Sequence, residues 1–263
     1  MRFRITFNRT GKQRLIPVDY QYFLSAWIYK VIGQADQDFS NFLHSEGYSS
    51  GNKQFKLFCY SPLNFGRPRL WKEKALFEIK SDQLFLHVSF RINEAAEKFI
   101  IGLFNQQQLY IGNRFNGLDL EVARVERLPE PVLMETMNYQ AYSPVVVSHK
   151  EESRHAYAQY MSPVMDHYQA FLKENLISKY QSIPRVEPLP ANFTFNLQVH
   201  GIPKSKLITM KPGTSQQSKV RGFVYDFTLA CPAEMHQLVL DCGIGEKNSM
   251  GFGWVEPSEV EGD

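Results

Sequence analysis

The sequence predicts an α+β fold made of two consecutive units, each running strand, helix, strand, strand, helix, strand. Three observations predict it: a period-two apolar pattern that begins at Phe3, helical stripes that recur between such patterns, and a proline-flanked break near the middle of the chain. Residues 2–8 put Phe3, Ile5 and Phe7 on one face and Arg2, Arg4 and Thr6 on the other, the alternation of a half-buried strand. Pro17 and Asp19 open a helix over 19–33, in which Phe23, Leu24, Trp27, Ile28 and Val31 share one stripe and Gly33 ends it. A shorter helix over 35–45 turns Phe39, Phe42 and Leu43 inward and stops at Gly47. Residues 55–61, 75–79 and 84–90 then alternate or are rich in β-forming side chains, with turn residues between them. Asn93 caps a helix over 94–106, after which 109–111 and 118–125 read as strands.

Leu128-Pro129-Glu130-Pro131 interrupts both helix and strand, so the domain boundary is expected there, giving units 1–128 and 129–263. Beyond it, 144–148 reads as a strand, 153–180 as a long helical pattern, and 193–199 as a strand with Phe193, Phe195, Leu197 and Val199 on one face. Strands over 206–210 and 219–229 flank a polar loop, Pro232 starts the last helix, and 252–255 closes the unit. The same order has then occurred twice. It describes tandem ferredoxin-like (βαββαβ, RRM-like) domains, in which an antiparallel sheet carries both helices on one face and leaves the other for a ligand.

Composition narrows the function classes. A chain of 263 residues with 43% apolar and 21% charged side chains is that of a folded globular protein. A formal charge of +2 does not by itself call for nucleic acid, so any basic face must come from local clustering. Cys59, Cys231 and Cys242 are too far apart for a zinc site and no two histidines stand at i and i+4, so neither a metal nor another cofactor is expected. The N-terminus lacks the apolar core of a signal peptide, and no apolar run approaches the roughly 18 residues that span a bilayer. The expectation is a cytoplasmic protein with reduced thiols and no membrane partner.

The most specific motif is Gly243-Ile244-Gly245, five residues, then Gly251-Phe252-Gly253, between an expected helix and the closing strand. Glycines free the backbone to approach a ligand, and Lys247 adds a charge to a loop whose N–H groups suit phosphates. A dinucleotide fingerprint needs a preceding strand and a following helix, and here the order is reversed. The pattern resembles the glycine-rich signature of the CRISPR-associated endoribonucleases that cut repeat RNA, members of the RAMP superfamily. That resemblance implies tandem ferredoxin-like domains over the whole chain, and a catalytic group of a tyrosine on the first helix, a histidine about fifteen residues later and a lysine soon after. Tyr29 and His44 match that spacing. Independently of it, His44 follows Leu43 and faces the edge of its helix, while Tyr29 lies on the flank shared with Tyr22 and Ser25 rather than on the buried stripe. The lysine is Lys53 or Lys56; Lys53, at the tip of a glycine- and serine-rich loop, is favoured as the side chain free to reach a phosphate, its alternative being a solvated lysine.

The chemistry implied is metal-independent cleavage by the RNA's own 2′-hydroxyl, leaving a 2′,3′-cyclic phosphate and a 5′-hydroxyl. Histidine changes charge near neutral pH and suits either proton transfer, lysine suits the phosphorane, and tyrosine can orient the ribose or donate to the phosphate. Two basic clusters are candidate RNA contacts: Lys204, Lys206, Lys211, Lys219 and Arg221 about the turn at Pro212-Gly213, and Arg67, Arg69, Lys72 and Lys74 about Trp71. The alternatives are an edge strand guarded by lysines and a buried tryptophan. The expected partner is CRISPR repeat RNA as precursor and guide, with other CRISPR interference subunits and a second copy of the chain as further candidates. The rival function is a non-catalytic RAMP-type subunit that only binds repeat RNA.

Overall fold

The computed structural model describes residues 1–149 and 158–258. The fold is α+β. In the first half β1 (Arg2–Arg9) leads to α1 (Gln21–Ala35) and α2 (Gln37–Ser45), then β2 (Phe58–Tyr60), β3 (Gln83–Phe90), α3 (Asn93–Asn105), β4 (Gln108–Gly112) and β5 (Gly117–Arg127). These strands form one antiparallel sheet in the order β2-β3-β1-β5-β4. The alternation read in β1 sends Phe3, Ile5 and Phe7 into a core under α1 and α3, where the Trp27 ring meets Phe7 edge-on at 5.6 Å and Phe99 at 5.9 Å. Burying each such aromatic contributes roughly 1.5–3 kcal/mol. The helices can approach this closely because Gly102 has no side chain: a Cβ there would overlap the Val31 carbonyl.

The second half runs β6 (Thr136–Ala141), α4 (Tyr168–Gln181), β7 (Asn196–Met210), β8 (Ser218–Ala230), α5 (Ala233–Cys242) and β9 (Val255–Pro257), with sheet order β7-β8-β6-β9. Its own core joins Tyr139 and Phe227, whose rings stack at 5.3 Å, to Leu172, Leu176 and Leu238. Leaving β4 and α2 aside, both halves follow strand, helix, strand, strand, helix, strand. In both, the sheet is ordered second, third, first, fourth.

Several expected elements fall elsewhere. Residues 144–148, expected as a strand, hold an isolated bridge between Val145 and Phe223 and only the start of a two-residue strand at Ser148, and the first strand of this half is Thr136–Ala141. The helix expected over 153–180 is Tyr168–Gln181; Gln159–Tyr160 is a short strand paired with Ser148–His149, and 150–157 lie outside the described residues. The strands expected over 193–199 and 206–210 are one strand, Asn196–Met210, whose register shifts between His200 and Lys204, so Gly201 and Pro203 mark a bulge rather than an end. Leu76–Glu78 leaves the main sheet for a small one with Leu15–Pro17 and Arg69–Trp71. The closing strand starts at Val255, later than expected.

The halves meet along α5, the glycine-rich segment after it, and β9. Arg91 Nη1 reaches buried Asp241 at 3.2 Å, His87 Nδ1 lies 3.0 Å from Glu256, and the Arg2 guanidinium sits over the Trp254 ring. The hydrogen bond with His87 holds Glu256 below the usual carboxylate range. Among the described residues no helix is long and apolar enough to cross a membrane.

A buried histidine links this core to pH. His236 is fully buried, with Nδ1 2.8 Å from the Tyr139 hydroxyl and Nε2 3.3 Å from the Glu135 carbonyl. Burial pushes its pKa down, and the Glu135 carbonyl opposes this. The unfolded chain therefore takes up that proton at a higher pH than the folded one, so this contribution to stability is complete above about 6.5 and is lost as pH falls below it. The melting temperature is expected to drop between about pH 7.5 and about pH 5.5, and His236→Gln to flatten that drop; calorimetry at the two values checks both.

Candidate active site

α1 and α2 bring Tyr29 and His44 together. Asp36 ends α1 and caps α2, its carboxylate accepting the Phe39 N–H at 2.8 Å, so the chain reverses within one residue. Ser40 Oγ then donates to the Tyr29 carbonyl at 2.8 Å, and Leu43, fully buried, anchors the far end of α2. His44 is left exposed, as its place beside Leu43 predicts, and its ring meets that of Tyr29 edge-on, centroids 5.0 Å apart at 82°. Phe58 packs against the same tyrosine at 5.5 Å. Burial pushes the Tyr29 phenol up to about 12, with the Ser249 hydroxyl acting in the opposite sense. Tyr29 is therefore protonated at neutral pH: a donor, not a base.

The two candidate lysines are placed differently. Lys53 sits on the exposed hairpin Tyr48–Ser50 and Lys53–Phe55, and its Nζ is 2.6 Å from Glu174 on α4. Lys56 is half-buried and folds back over the turn that ends α2: a Cβ built on Gly47 would stand 3.2 Å from its Nζ. Burial lowers the Lys56 pKa, and Glu46 works against the shift. Lys56 thus lies beside the end of the histidine helix, whereas Lys53 is paired with Glu174 on α4. Both line a cavity of about 790 Å³ between that hairpin, α4 and the glycine-rich segment, with His149, Phe171 and Lys247 on its walls. Phe58 and Ser249, the neighbours of Tyr29, line it too. Among the described residues no group of three or more His, Cys, Asp and Glu side chains is placed to hold a metal ion.

The glycines expected to cradle phosphate are used by the protein itself. Gly243, Gly245, Gly251 and Gly253 are buried with positive φ. The Gly243 N–H donates to Val239, that of Gly251 to Asn248 and that of Gly253 to Pro144. A Cβ on Gly243 would press on Cys59 Sγ at 2.8 Å, and one on Gly251 on the Tyr60 ring at 3.0 Å. Their spacing lets the loop wedge against β2 of the other half. Within the motif, Lys247 is the exposed cation.

Comparison with known proteins places this geometry. Two family models match nearly end to end: "CRISPR-associated protein Cas6, N-terminal" over residues 15–118 and "CRISPR associated protein Cas6, C-terminal" over residues 128–257. The chain belongs to the Cas6 family. A CRISPR-associated endoribonuclease Cas6 of Methanocaldococcus jannaschii is 26% identical over 254 residues, 94% of this chain and 89% of its own length. A solved structure described as a Cas6-related gene product from Pyrococcus furiosus has a TM-score of 0.83 at 20% identity, covering 99% of each chain. Another, described as a RAMP protein binding different RNA substrates, has a TM-score of 0.81 at 19% identity over 98% of this chain and 100% of its own. Those two likenesses speak for the shared fold.

On this Cas6 scaffold the remaining basic residues divide. The β7–β8 register pairs Lys206 with Gly222 and Leu207 with Arg221, so Lys204 and Lys206 lie on one face of the hairpin and Lys219 and Arg221 on the other. They do not form a single stripe. Lys211 is half-buried at the turn, where Met210 and Val220 pack with Phe252 of the glycine-rich segment. Arg67, Arg69, Lys72 and Lys74 are exposed, and Trp71, expected to be buried, is 37% exposed between the Arg69 and Lys74 cations. Sequence reasoning missed Lys179, a buried lysine under the glycine-rich segment. Its only signal is a charge on the apolar side of α4, next to Leu176 and Tyr180.

Proposed function

We propose that the chain is a metal-independent endoribonuclease that binds CRISPR repeat RNA and cuts the precursor within each repeat. The reading treats residues 1–128 and 129–263 as tandem ferredoxin-like domains, consistent with the common strand order of the two sheets. The observation that carries it is the contact of Tyr29 with exposed His44, with Lys56 folded over the adjoining turn. The curated relative named above is an endoribonuclease, which supports the same class. In the reaction, the 2′-hydroxyl loses its proton and attacks the adjacent phosphorus. The bond to the 5′-oxygen breaks, and that oxygen takes a proton to leave a 2′,3′-cyclic phosphate and a 5′-hydroxyl. His44 performs one of the two proton transfers, Lys56 stabilises the added negative charge, and Tyr29 donates to a phosphate or ribose oxygen. Lys247 and the exposed cations Lys204, Lys206, Lys219, Arg221, Arg67 and Arg69 supply backbone contacts.

The test is cleavage of repeat RNA in EDTA beside an RNA with 2′-deoxyribose at the scissile position. Cutting of the first and not the second is expected. Tight binding of both with no cutting would instead assign the chain as a non-catalytic repeat-binding subunit. The lysines separate in the same assay: Lys56→Ala is expected to slow single-turnover cleavage at least about tenfold, and Lys53→Ala to stay within about threefold, since its charge is already satisfied by Glu174.

A further inference from the structure

Lys179, 2% exposed at the end of α4, makes no ion pair with a carboxylate among the described residues. Its Nζ donates to the Gly243 carbonyl at 2.9 Å, the Gly245 carbonyl at 2.8 Å and Asn248 Oδ1 at 2.6 Å. An ammonium has three donors, and each finds an acceptor in the glycine-rich segment. Asn248 passes the constraint on, its amide donating to the Ile244 carbonyl at 3.1 Å and the Phe252 carbonyl at 3.0 Å. A buried cation carries a desolvation cost of several kcal/mol, so a group that survives it by bonding one loop defines that loop's shape.

The other side of the loop lies on α1. Ser25 Oγ donates to the Ser249 carbonyl at 2.7 Å. The Tyr60 ring, against which Gly251 packs, donates through its hydroxyl to the Gln21 carbonyl at 2.7 Å. Ser249 lines the same cavity as Phe58, whose ring packs on Tyr29 at 5.5 Å, and its hydroxyl acts against the rise that burial causes in the Tyr29 phenol. Gln21, Ser25 and Tyr29 follow at intervals of four and share one helix face. At two successive turns, those of Gln21 and Ser25, that face is held by hydrogen bonds to the glycine-rich segment and the tyrosine it rests on, and Tyr29 stands on the next.

We propose that the glycine-rich loop is a positioning device for Tyr29, in which Lys179 of α4 fixes the loop and the loop, through Ser249, fixes the face of α1 that carries the tyrosine. Lys179, Asn248, Ser249 and Ser25 are then positioning residues that touch no substrate. The inference rests on the reading of Tyr29 and His44 as the cleavage site.

Single-turnover cleavage of repeat RNA by Ser249→Ala, Ser25→Ala and Lys179→Met, each alone and combined with Tyr29→Phe, tests it, with Kd measured on the 2′-deoxy RNA. Each loop variant is expected to lose roughly three- to tenfold in rate at unchanged Kd, and less than about twofold once Tyr29 is phenylalanine. If Lys179→Met does not fold, the two serine variants carry the same comparison. Equal losses in both backgrounds would overturn the inference, as would a Kd that weakens in step with the rate, since the loop would then be contacting RNA itself. Wild-type cutting by both Tyr29→Phe and His44→Ala would overturn the site and this inference with it.

Discussion

His44→Ala is expected to lower the single-turnover rate of repeat-RNA cleavage by about 10²–10⁴-fold while leaving RNA affinity within about threefold. The expected size follows from what the side chain can do. Tyr29 stays protonated at neutral pH because burial raises its phenol to about 12, so it cannot accept the 2′-hydroxyl proton. The charged form of Lys56 would have no lone pair with which to accept a proton, and Lys53 is paired with Glu174. Within this cluster His44 is the imidazole, with one ring nitrogen that can accept a proton and another that can donate one. Its exposure also means that truncation leaves no cavity, so the melting temperature should not move. Rapid-quench cleavage, with Kd from filter binding and a thermal melt on the same sample, separates the effects. A rate within threefold of wild type would remove His44 from the mechanism.

The positions of Tyr29 and His44 are legible in local periodicity, whereas those of the other candidate residues depend on tertiary partners. Helical periodicity assigns a side chain to a face, and the stripe through Leu24, Trp27, Ile28 and Val31 leaves Tyr29 on the flank just as Leu43 leaves His44 outside. Which lysine follows is decided by the path of a hairpin whose turn residues fix no direction. Strand Thr136–Ala141 was hidden because its inward residues Met137, Tyr139 and Ala141 alternate with Thr136, Asn138 and Gln140, a composition with little β-branching. The run Val145-Val146-Val147 reads as a strand because three β-branched residues follow one another, yet their burial serves as packing between β8 and the glycine-rich segment. Glycine spacing told that backbones approach closely at 243–253. Whether the approaching group is a phosphate or the protein's own chain depends on partners far away in sequence, Cys59, Tyr60, Pro144 and Lys179.

That distinction has a sharp consequence for Gly253. Its φ is +72°, and a Cβ there would overlap the Ile244 carbonyl and stand 2.6 Å from Asn248 Nδ2. Neither neighbour can retreat: Ile244 accepts from Asn248, which is itself clamped by Lys179. Gly253→Ala is therefore expected to cost about 3–5 kcal/mol or to prevent folding, combining left-handed strain with a backbone clash in a filled interior. Gly213 provides the control, because its φ is +74° while a Cβ would meet nothing within 4 Å. Gly213→Ala should carry the conformational cost alone, about 1 kcal/mol. Urea denaturation of the two variants measures the difference, which is the price of the clash. A Gly253→Ala protein as stable as Gly213→Ala but unable to bind repeat RNA would show that the space beside Gly253 belongs to the ligand after all, and the packing role given to the glycine signature would fall.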